Sequence, residues 1–248
     1  MKFPQPQYIA NLIVEKGNNL EFDKLENVAF QICRIKFPTP SDEEIWDYLD
    51  IRCIEDLANE LFIKKTDNFN DGISINFIIE DDNENYYIKF LDKPEIHLLR
   101  LLQKDTSDNF EFFCKKILDG LGGNTIVSGG PSDGGIDFYS TNISINKLSA
   151  PSTIGSRILV IGQAKRYIDG NHVKLKELRE FVGASLNFGF ELKRSRSEQL
   201  GVLQPTVIAF WTTSDFHSDA KKYAKDMGIW YLNGIALCQL ALQLEIEL

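Results

Sequence analysis

No stretch of the chain stays apolar for the roughly 18 residues that a membrane-spanning helix requires, so a bilayer-embedded protein is not expected. Behind Met1-Lys2-Phe3-Pro4 there is no apolar segment of the kind a secretory signal carries, and the expected location is the cytoplasm. Cysteine is scarce and scattered. Cys33, Cys53, Cys114 and Cys238 share no metal-ligand spacing, which argues against both a disulfide framework and zinc. Of the three histidines, His97 and His217 stand in no partner motif, and His172, after Asp169-Gly170-Asn171, reads as an exposed turn residue. The glycine pairs at 122–123 and 129–130 are not followed by Gly-Lys-Ser/Thr, so no phosphate-cradling nucleotide loop is present. A surplus of positive charge is missing too. The net charge of −9 sits poorly with a ligand made of phosphates, which needs Lys and Arg.

That last deficit is local. Residues 1–100 carry 11 Lys and Arg against 20 Asp and Glu, a net of −9, while residues 101–248 carry 16 of each, a net of zero. Within 162–226 the count is 11 basic against 8 acidic, a net of +3. The asymmetry implies two regions with different tasks, with boundaries near 1–100 and 101–248. In the first, apolar residues recur at helical spacing through Tyr8–Val14, Leu25–Ile35 and Ile54–Phe62, and Ser41-Asp42-Glu43-Glu44 reads as a helix start. Two alternating runs, Ile73–Ile79 and Tyr86–Leu91, flank the acidic segment 80–85 and predict a β-hairpin. Helices followed by a hairpin fit either a winged-helix module or a helical accessory domain. The excess of negative charge favours the accessory domain, acting in target recognition or partner docking.

The second region is patterned as α/β. Phe110, Phe113, Cys114, Ile117, Leu118 and Leu121 form one helical stripe, with Ser107 or Asp108 as its expected cap and Gly122-Gly123 as its end. Short strands are expected at Asn124–Ser128 and Ile136–Ser140, separated by the turn 129–135, and a third at Arg157–Arg166 after a Ser/Pro/Gly-rich loop over 149–156. A helix over Val173–Ala184, a buried strand over Pro205–Thr212, a helix over Phe216–Met227, a strand at Ile229–Leu232 and a final helix follow. The expectation is a mixed central sheet flanked by helices. Trp211, Trp230 and the 17 phenylalanines read as core rather than base-stacking surface.

Chemistry concentrates around the third strand. Its first half is apolar on both faces, which marks a central strand. Gln163 and Lys165 then emerge on one face, about 6–7 Å apart by the rise per residue. A lysine at the end of a buried strand is costly unless it meets a partner or a cleft mouth. Asp137 stands in Gly134-Gly135-Ile136-Asp137-Phe138, where simple alternation turns Ile136 and Phe138 to one face and Asp137 and Tyr139 to the other. Glu111 lies one step off its helix's apolar stripe, at the edge of the buried face.

This set of residues resembles the Mrr-type restriction endonucleases of the PD-(D/E)XK superfamily. The resemblance runs over about residues 107–242, through Phe110-Glu111, Asp133-Gly134-Gly135-Ile136-Asp137, Ile161-Gly162-Gln163-Ala164-Lys165-Arg166-Tyr167, Phe181-Val182-Gly183-Ala184, Phe210-Trp211-Thr212-Thr213-Ser214-Asp215-Phe216 and Ile229-Trp230-Tyr231-Leu232-Asn233-Gly234. It implies a restriction-endonuclease-like fold and a DNA endonuclease of bacterial restriction or anti-phage defence. Asp137 would be a ligand of Mg²⁺, with Mn²⁺ as substitute, because a hard cation prefers oxygen donors. Where the wider superfamily has an acidic second ligand this chain has Gln163, a replacement found in the Mrr branch, and the carbonyl of Ala164 would be a further ligand. Lys165 would position the attacking water and stabilise charge on the phosphate. Glu111 would orient a water at the cation or else be a solvated carboxylate near a helix start.

Nucleic-acid contacts are expected from Arg166, beside the lysine, and from Lys193, Arg194 and Arg196, placed in a loop before the buried strand. Lys221, Lys222 and Lys225 read as a solvated helix face. The expected partner is DNA, with a homodimer consistent with cutting two strands and a protein partner for the acidic N-terminal region. A competing reading keeps the fold without strong catalysis, as a subunit that binds nucleic acid or a partner protein; Gln163 and the overall acidity motivate it.

Overall fold

The structure, a computed structural model, describes residues 4–16, 23–70, 77–82, 85–91, 93–128, 135–144, 157–168, 171–196, 200 and 203–247. Residues 129–134 of the turn expected over 129–135, the loop over 149–156, the Asp133-Gly134 and Asp169-Gly170 steps and the start of the first hairpin run at 73–76 lie outside these residues. The chain forms two compact units, Met1–Ile96 and His97–Leu248. Among the described residues no helix is long and apolar enough to cross a membrane.

In the first unit, α1 (Pro6–Lys16), α2 (Leu25–Lys36), α3 (Asp42–Tyr48) and α4 (Ile51–Asn70) accompany a sheet of β1 (Asp23–Lys24), β2 (Phe77–Asp81) and β3 (Tyr86–Phe90). The apolar spacing of α2 puts Leu25, Val28, Ala29, Ile32 and Cys33 on its buried face. The α3 start is a complete capping box: the Ser41 hydroxyl accepts from the Glu44 N–H at 3.2 Å, and the Glu44 carboxylate accepts from the Ser41 N–H at 2.7 Å. The hairpin expected around 80–85 is present as the antiparallel β2–β3 pair, which buries Phe77, Ile79 and Ile88. Strand β1 pairs with β3 and was not expected, because two residues carry no readable period.

The second unit is built on one five-stranded sheet. Its strands are β4 (Asn124–Val127), β5 (Phe138–Ser144), β6 (Arg157–Lys165), β7 (Thr206–Thr212) and β8 (Trp230–Leu232), in the spatial order β4-β5-β6-β7-β8. The β4–β5 and β5–β6 pairs are antiparallel, and the β6–β7 and β7–β8 pairs are parallel. The helices are α6 (Ser107–Gly120), α7 (Leu175–Ser195), α8 (Ser218–Met227), α9 (Gly234–Gln243) and the end of α5 (Pro94–Lys104). The mixed sheet flanked by helices is as expected. Helix α5 escaped the sequence reading although Pro94 at its first position and Glu95 in its first turn are start signals, and Leu98 and Leu102 stand at i, i+4.

Each face of this sheet has its own core. Val160, Ala164, Phe138 and Trp211 pack with Phe110, Cys114 and Ile117 of α6 and with Leu237 and Cys238 of α9. Leu159, Ile161 and Phe210 pack with Leu178 and Phe181 of α7 and with Ala220 and Ala224 of α8. The central strand β6 therefore alternates between two apolar layers, as a doubly covered strand must. One close approach fixes its register: a Cβ on Gly162 would lie 1.9 Å from the Phe138 ring, so only glycine fits opposite that phenylalanine. Three expectations are corrected. The α6 cap is Thr106, whose hydroxyl accepts from the Asn109 N–H at 3.2 Å, rather than Ser107 or Asp108. Helix α7 continues to Ser195, because its apolar spacing persists through Leu192, so Lys193 and Arg194 form its last turn and Arg196 its C-cap instead of a loop. Strand β5 begins at Phe138, not Ile136.

Candidate active site

The site is assembled where β5 begins and β6 ends. Gly135, at φ +86°, turns the chain just before β5. Asp137 is then pinned on both sides by backbone bonds: its N–H donates to the Gly162 carbonyl at 3.0 Å, and its own carbonyl accepts from the Ser128 N–H at 2.9 Å. Its side-chain Oδ2 accepts from the Ala164 N–H at 2.8 Å. Because the regular strand starts only at Phe138, alternation does not extend back to Ile136. Ile136 packs in the α7–α8 layer and Phe138 in the α6–α9 layer, which corrects the expectation that they share a face. The Asp137 charge instead acts on Glu111 and Cys114 of α6.

Glu111 is half-buried in the second turn of α6. Burial, then the Asp137 charge, then the Asp108 charge push its carboxyl up to about 7, against the opposing pull of Lys165. Burial also raises the Asp137 carboxyl, although the Ala164 N–H and the Lys165 charge work against it. Glu111 is thus partly buried and within reach of the Asp137 and Lys165 charges rather than fully solvated. Gln163 is 7% exposed, and a Cβ on Gly135 would meet its Nε2 at 2.8 Å, so the amide sits directly against the glycine turn. Lys165 closes β6, opposite Thr212 of β7, with its charge felt by both carboxylates.

Two carboxylates, the Gln163 amide oxygen and the Ala164 carbonyl are all hard oxygen donors, and this donor chemistry fits Mg²⁺ or Mn²⁺. Among the described residues no three His, Cys, Asp or Glu side chains cluster as a metal cage, so the amide and backbone oxygens would have to complete the carboxylate pair.

The basic residues singled out in the sequence fall elsewhere. Arg166 turns inward: its Nη1 donates to the Gln103 carbonyl at 2.9 Å, and its Nε is buried without a partner. Lys193 donates to the Gln204 carbonyl at 2.8 Å, and Arg194 pairs with Glu191 at 3.4 Å. Both line a cavity of about 800 Å³ with Leu186, Phe190, Thr206 and Met227. Thr206 stands at the far end of β7 from Thr212, so this cavity lies on the order of 20 Å along the sheet from Lys165. The Arg196 guanidinium carbon lies 5.6 Å over the Tyr139 ring. His172 is not an exposed turn residue. It is 7% exposed, with its ring 5.7 Å from that of His217, since Val173 bridges to Phe216 and draws the turn onto the sheet. Lys221 is likewise no solvated lysine, because it pairs with Asp215 at 3.1 Å. The four cysteines are buried thiols.

What sequence reasoning missed is the set of groups that hold the end of β6. The Thr212 hydroxyl donates to the Lys165 carbonyl at 2.7 Å, and the Thr213 N–H reaches the same oxygen at 3.2 Å. The Thr213 hydroxyl bonds both backbone groups of Tyr167, and the Gln103 amide donates to the Thr213 carbonyl at 2.9 Å. Thr212-Thr213 was visible as part of a motif, but only as a strand-to-helix junction.

No curated protein sequence matches the chain. Among solved structures, MspJI restriction endonuclease in complex with a 27-mer oligonucleotide is similar at 18% identity and TM-score 0.39, over 59% of this chain and 31% of that one. Restriction endonuclease FokI is similar at 13% identity and TM-score 0.36, over 98% and 46% of the two chains, and FokI bound to DNA at 11% and 0.36, over 96% and 45%. The chain thus spans between about a third and a half of the length of these enzymes. The restriction endonuclease model Mrr_cat matches residues 102–241, more than half of the 248 residues, and the chain belongs to that restriction endonuclease family.

Proposed function

We propose that this protein is a divalent-metal-dependent endonuclease that hydrolyses DNA phosphodiester bonds in bacterial restriction or anti-phage defence, working in the cytoplasm. The observation that carries the reading is the Asp137 carboxylate held by the Ala164 N–H, between Gln163 and Lys165 at the end of β6, with the Glu111 and Lys165 charges near enough to act on it or on one another. Two carboxylates forced together at low dielectric repel each other and favour a cation between them. Asp137, Gln163 and the Ala164 carbonyl would hold Mg²⁺ or Mn²⁺, with Glu111 beside them. A cation there lowers the pKa of water and neutralises charge on the scissile phosphate.

The remaining work falls to the chain's own groups. The Ala164 N–H fixes one Asp137 oxygen, and the other would serve as the ligand. Lys165, at the strand end, would offer its ammonium to the phosphate and the attacking water. It offsets the negative charge that develops on the phosphoryl oxygens. Glu111, with its carboxyl near 7, takes or releases a proton at neutral pH. The acidic first unit serves target choice or partner docking, and two copies of the chain would cut the two strands. Lys193, Arg194 and Arg196 are assigned to DNA outside the cleavage point.

Supercoiled plasmid incubated at low salt with Mg²⁺ or Mn²⁺ tests the reading. Wild type is expected to nick or linearise it, and Asp137→Asn and Lys165→Ala to lose at least roughly 100-fold in rate, as loss of electrostatic groups at a reacting phosphate does. Full activity in either variant would place the chemistry elsewhere.

A further inference from the structure

The β6–β7 ladder stops at the pair Lys165↔Thr212. Lys165 is thus the terminal rung of its strand, and terminal rungs open more readily than the middle of a sheet. A charged side chain whose backbone frays spends less time in a reactive geometry. Beyond the last rung the chain adds a rung made of side chains. The Thr213 hydroxyl accepts from the Tyr167 N–H at 2.9 Å and donates to the Tyr167 carbonyl, also at 2.9 Å. Those are the two backbone groups of Tyr167 that a continued ladder would have satisfied.

Thr212 and Thr213 are both fully buried, so the hydroxyl bonds form without competition from water. On the other side of Thr213, the Gln103 amide donates to the Thr213 carbonyl at 2.9 Å, while the Gln103 carbonyl accepts from Arg166 at 2.9 Å. Residues 165 to 167 are therefore held from β7 by two threonine hydroxyls and from the last turn of α5 by one glutamine.

Given the nuclease reading above, on which this assignment rests, we propose that Thr213, backed by Gln103, is a positioning residue for Lys165. Its hydroxyl clamps the backbone two residues beyond the lysine and keeps the end of β6 on the sheet. Arg166 belongs to the same clamp. Thr213→Val keeps the shape of the side chain, leaves both Tyr167 backbone groups without a partner and frees the strand end to fray. Thr213→Ser keeps the hydroxyl.

The experiment uses the full chain and two readouts, plasmid cleavage with Mn²⁺ and amide hydrogen exchange at Tyr167. Thr213→Val is expected to lose roughly 100-fold in kcat, the scale of a 1 Å misplacement, with KM within about twofold of wild type. Its Tyr167 amide should exchange at least about tenfold faster, while Ile161 in mid-strand keeps its protection. Thr213→Ser should remain within a few-fold of wild type on both readouts, a rescue that mere loss of packing would not give. Should the valine variant fail to fold, Gln103→Met tests the same clamp, since it removes only the bond to the Thr213 carbonyl and should still lower kcat with KM unchanged. A valine variant that cleaves like wild type, or keeps Tyr167 protected, overturns the proposal. A wild type that cleaves nothing overturns the nuclease reading, and Tyr167 exchange still decides whether the clamp exists.

Discussion

At the scale of single residues, the site contains groups that the fold would be more stable without. Glu111 is the clearest. Its carboxyl stands at about 7 against an ordinary value of 4.5, so the folded chain prefers it protonated. As pH rises from about 4.5 the unfolded chain ionises first. The folded state therefore loses stability progressively up to about pH 7, and the loss levels off above it. Asp137, also raised, acts in the same direction. In chelator, wild type should melt at a lower temperature at pH 8 than at pH 5. Glu111→Gln should flatten that slope and melt higher than wild type at pH 8, while Mg²⁺ should stabilise wild type more than the variant. Equal pH slopes for the two proteins in calorimetry would mean that Glu111 is not the strained group. That Asp137 belongs with Gln163 and Lys165 was legible through the resemblance of their motifs to those of a known family, and in the structure Asp137 Oδ2 accepts from the Ala164 N–H between the other two. Gln103 and Thr213 were not legible, since Thr213 acts through backbone atoms 46 residues away and Gln103 reaches it across 110.

At the scale of elements, helical and strand periodicity read the sheet and most helices correctly and failed where an element is short or irregular. Asp137 shows why. Alternation presumes a regular strand, and the φ +86° turn at Gly135 ends that regularity three residues before the start of β5. The helix expected over Val173–Ala184 runs on to Ser195 as α7, because its apolar spacing continues through Leu192. In the structure Gly189 is buried, with the Ile161 side chain 2.9 Å from where its Cβ would be. The fit of β5 on β6 makes a sharper prediction. Gly162→Ala would drive a methyl to 1.9 Å from Phe138, a ring that is fully buried against Trp211. Overpacking of this kind costs about 1–3 kcal/mol. Adding Phe138→Leu should return part of the lost stability, a non-additivity expected only of residues in contact. Denaturant titration of the single and double variants measures it; strictly additive losses would contradict the close approach.

At the scale of the whole molecule, charge is divided unevenly. Met1–Ile96 holds 10 Lys and Arg against 20 Asp and Glu, a net of −10, whereas His97–Leu248 holds 17 against 16, a net of +1. Under the DNA-cutting reading proposed above, the carboxylates of the first unit oppose the approach of the substrate, because they repel its phosphates. Replacing the exposed Glu43, Asp47 and Asp56 by their amides changes the net charge from −9 to −6. It should speed DNA association several-fold at low salt and leave it unchanged at about 0.5 M salt, where charges are screened. Stopped-flow binding to labelled duplex reads this directly, and a variant indistinguishable from wild type at low salt would show that the acidic unit has no influence on encounter.

The β6 strand joins an antiparallel half-sheet to a parallel one, and it is held from both sides. Its partners Phe138–Ser144 precede it, but Thr206–Thr212, with the threonines that hold its end, comes more than forty residues later. On the ribosome, which adds about 5–20 residues each second, the lysine is thus synthesised seconds before the strand that secures it. A nascent or prematurely terminated chain ending before β7 carries Asp137, Gln163 and Lys165 without the neighbour that aligns them. Under the nuclease reading proposed above, that order of synthesis leaves the candidate site unaligned until the sheet is closed.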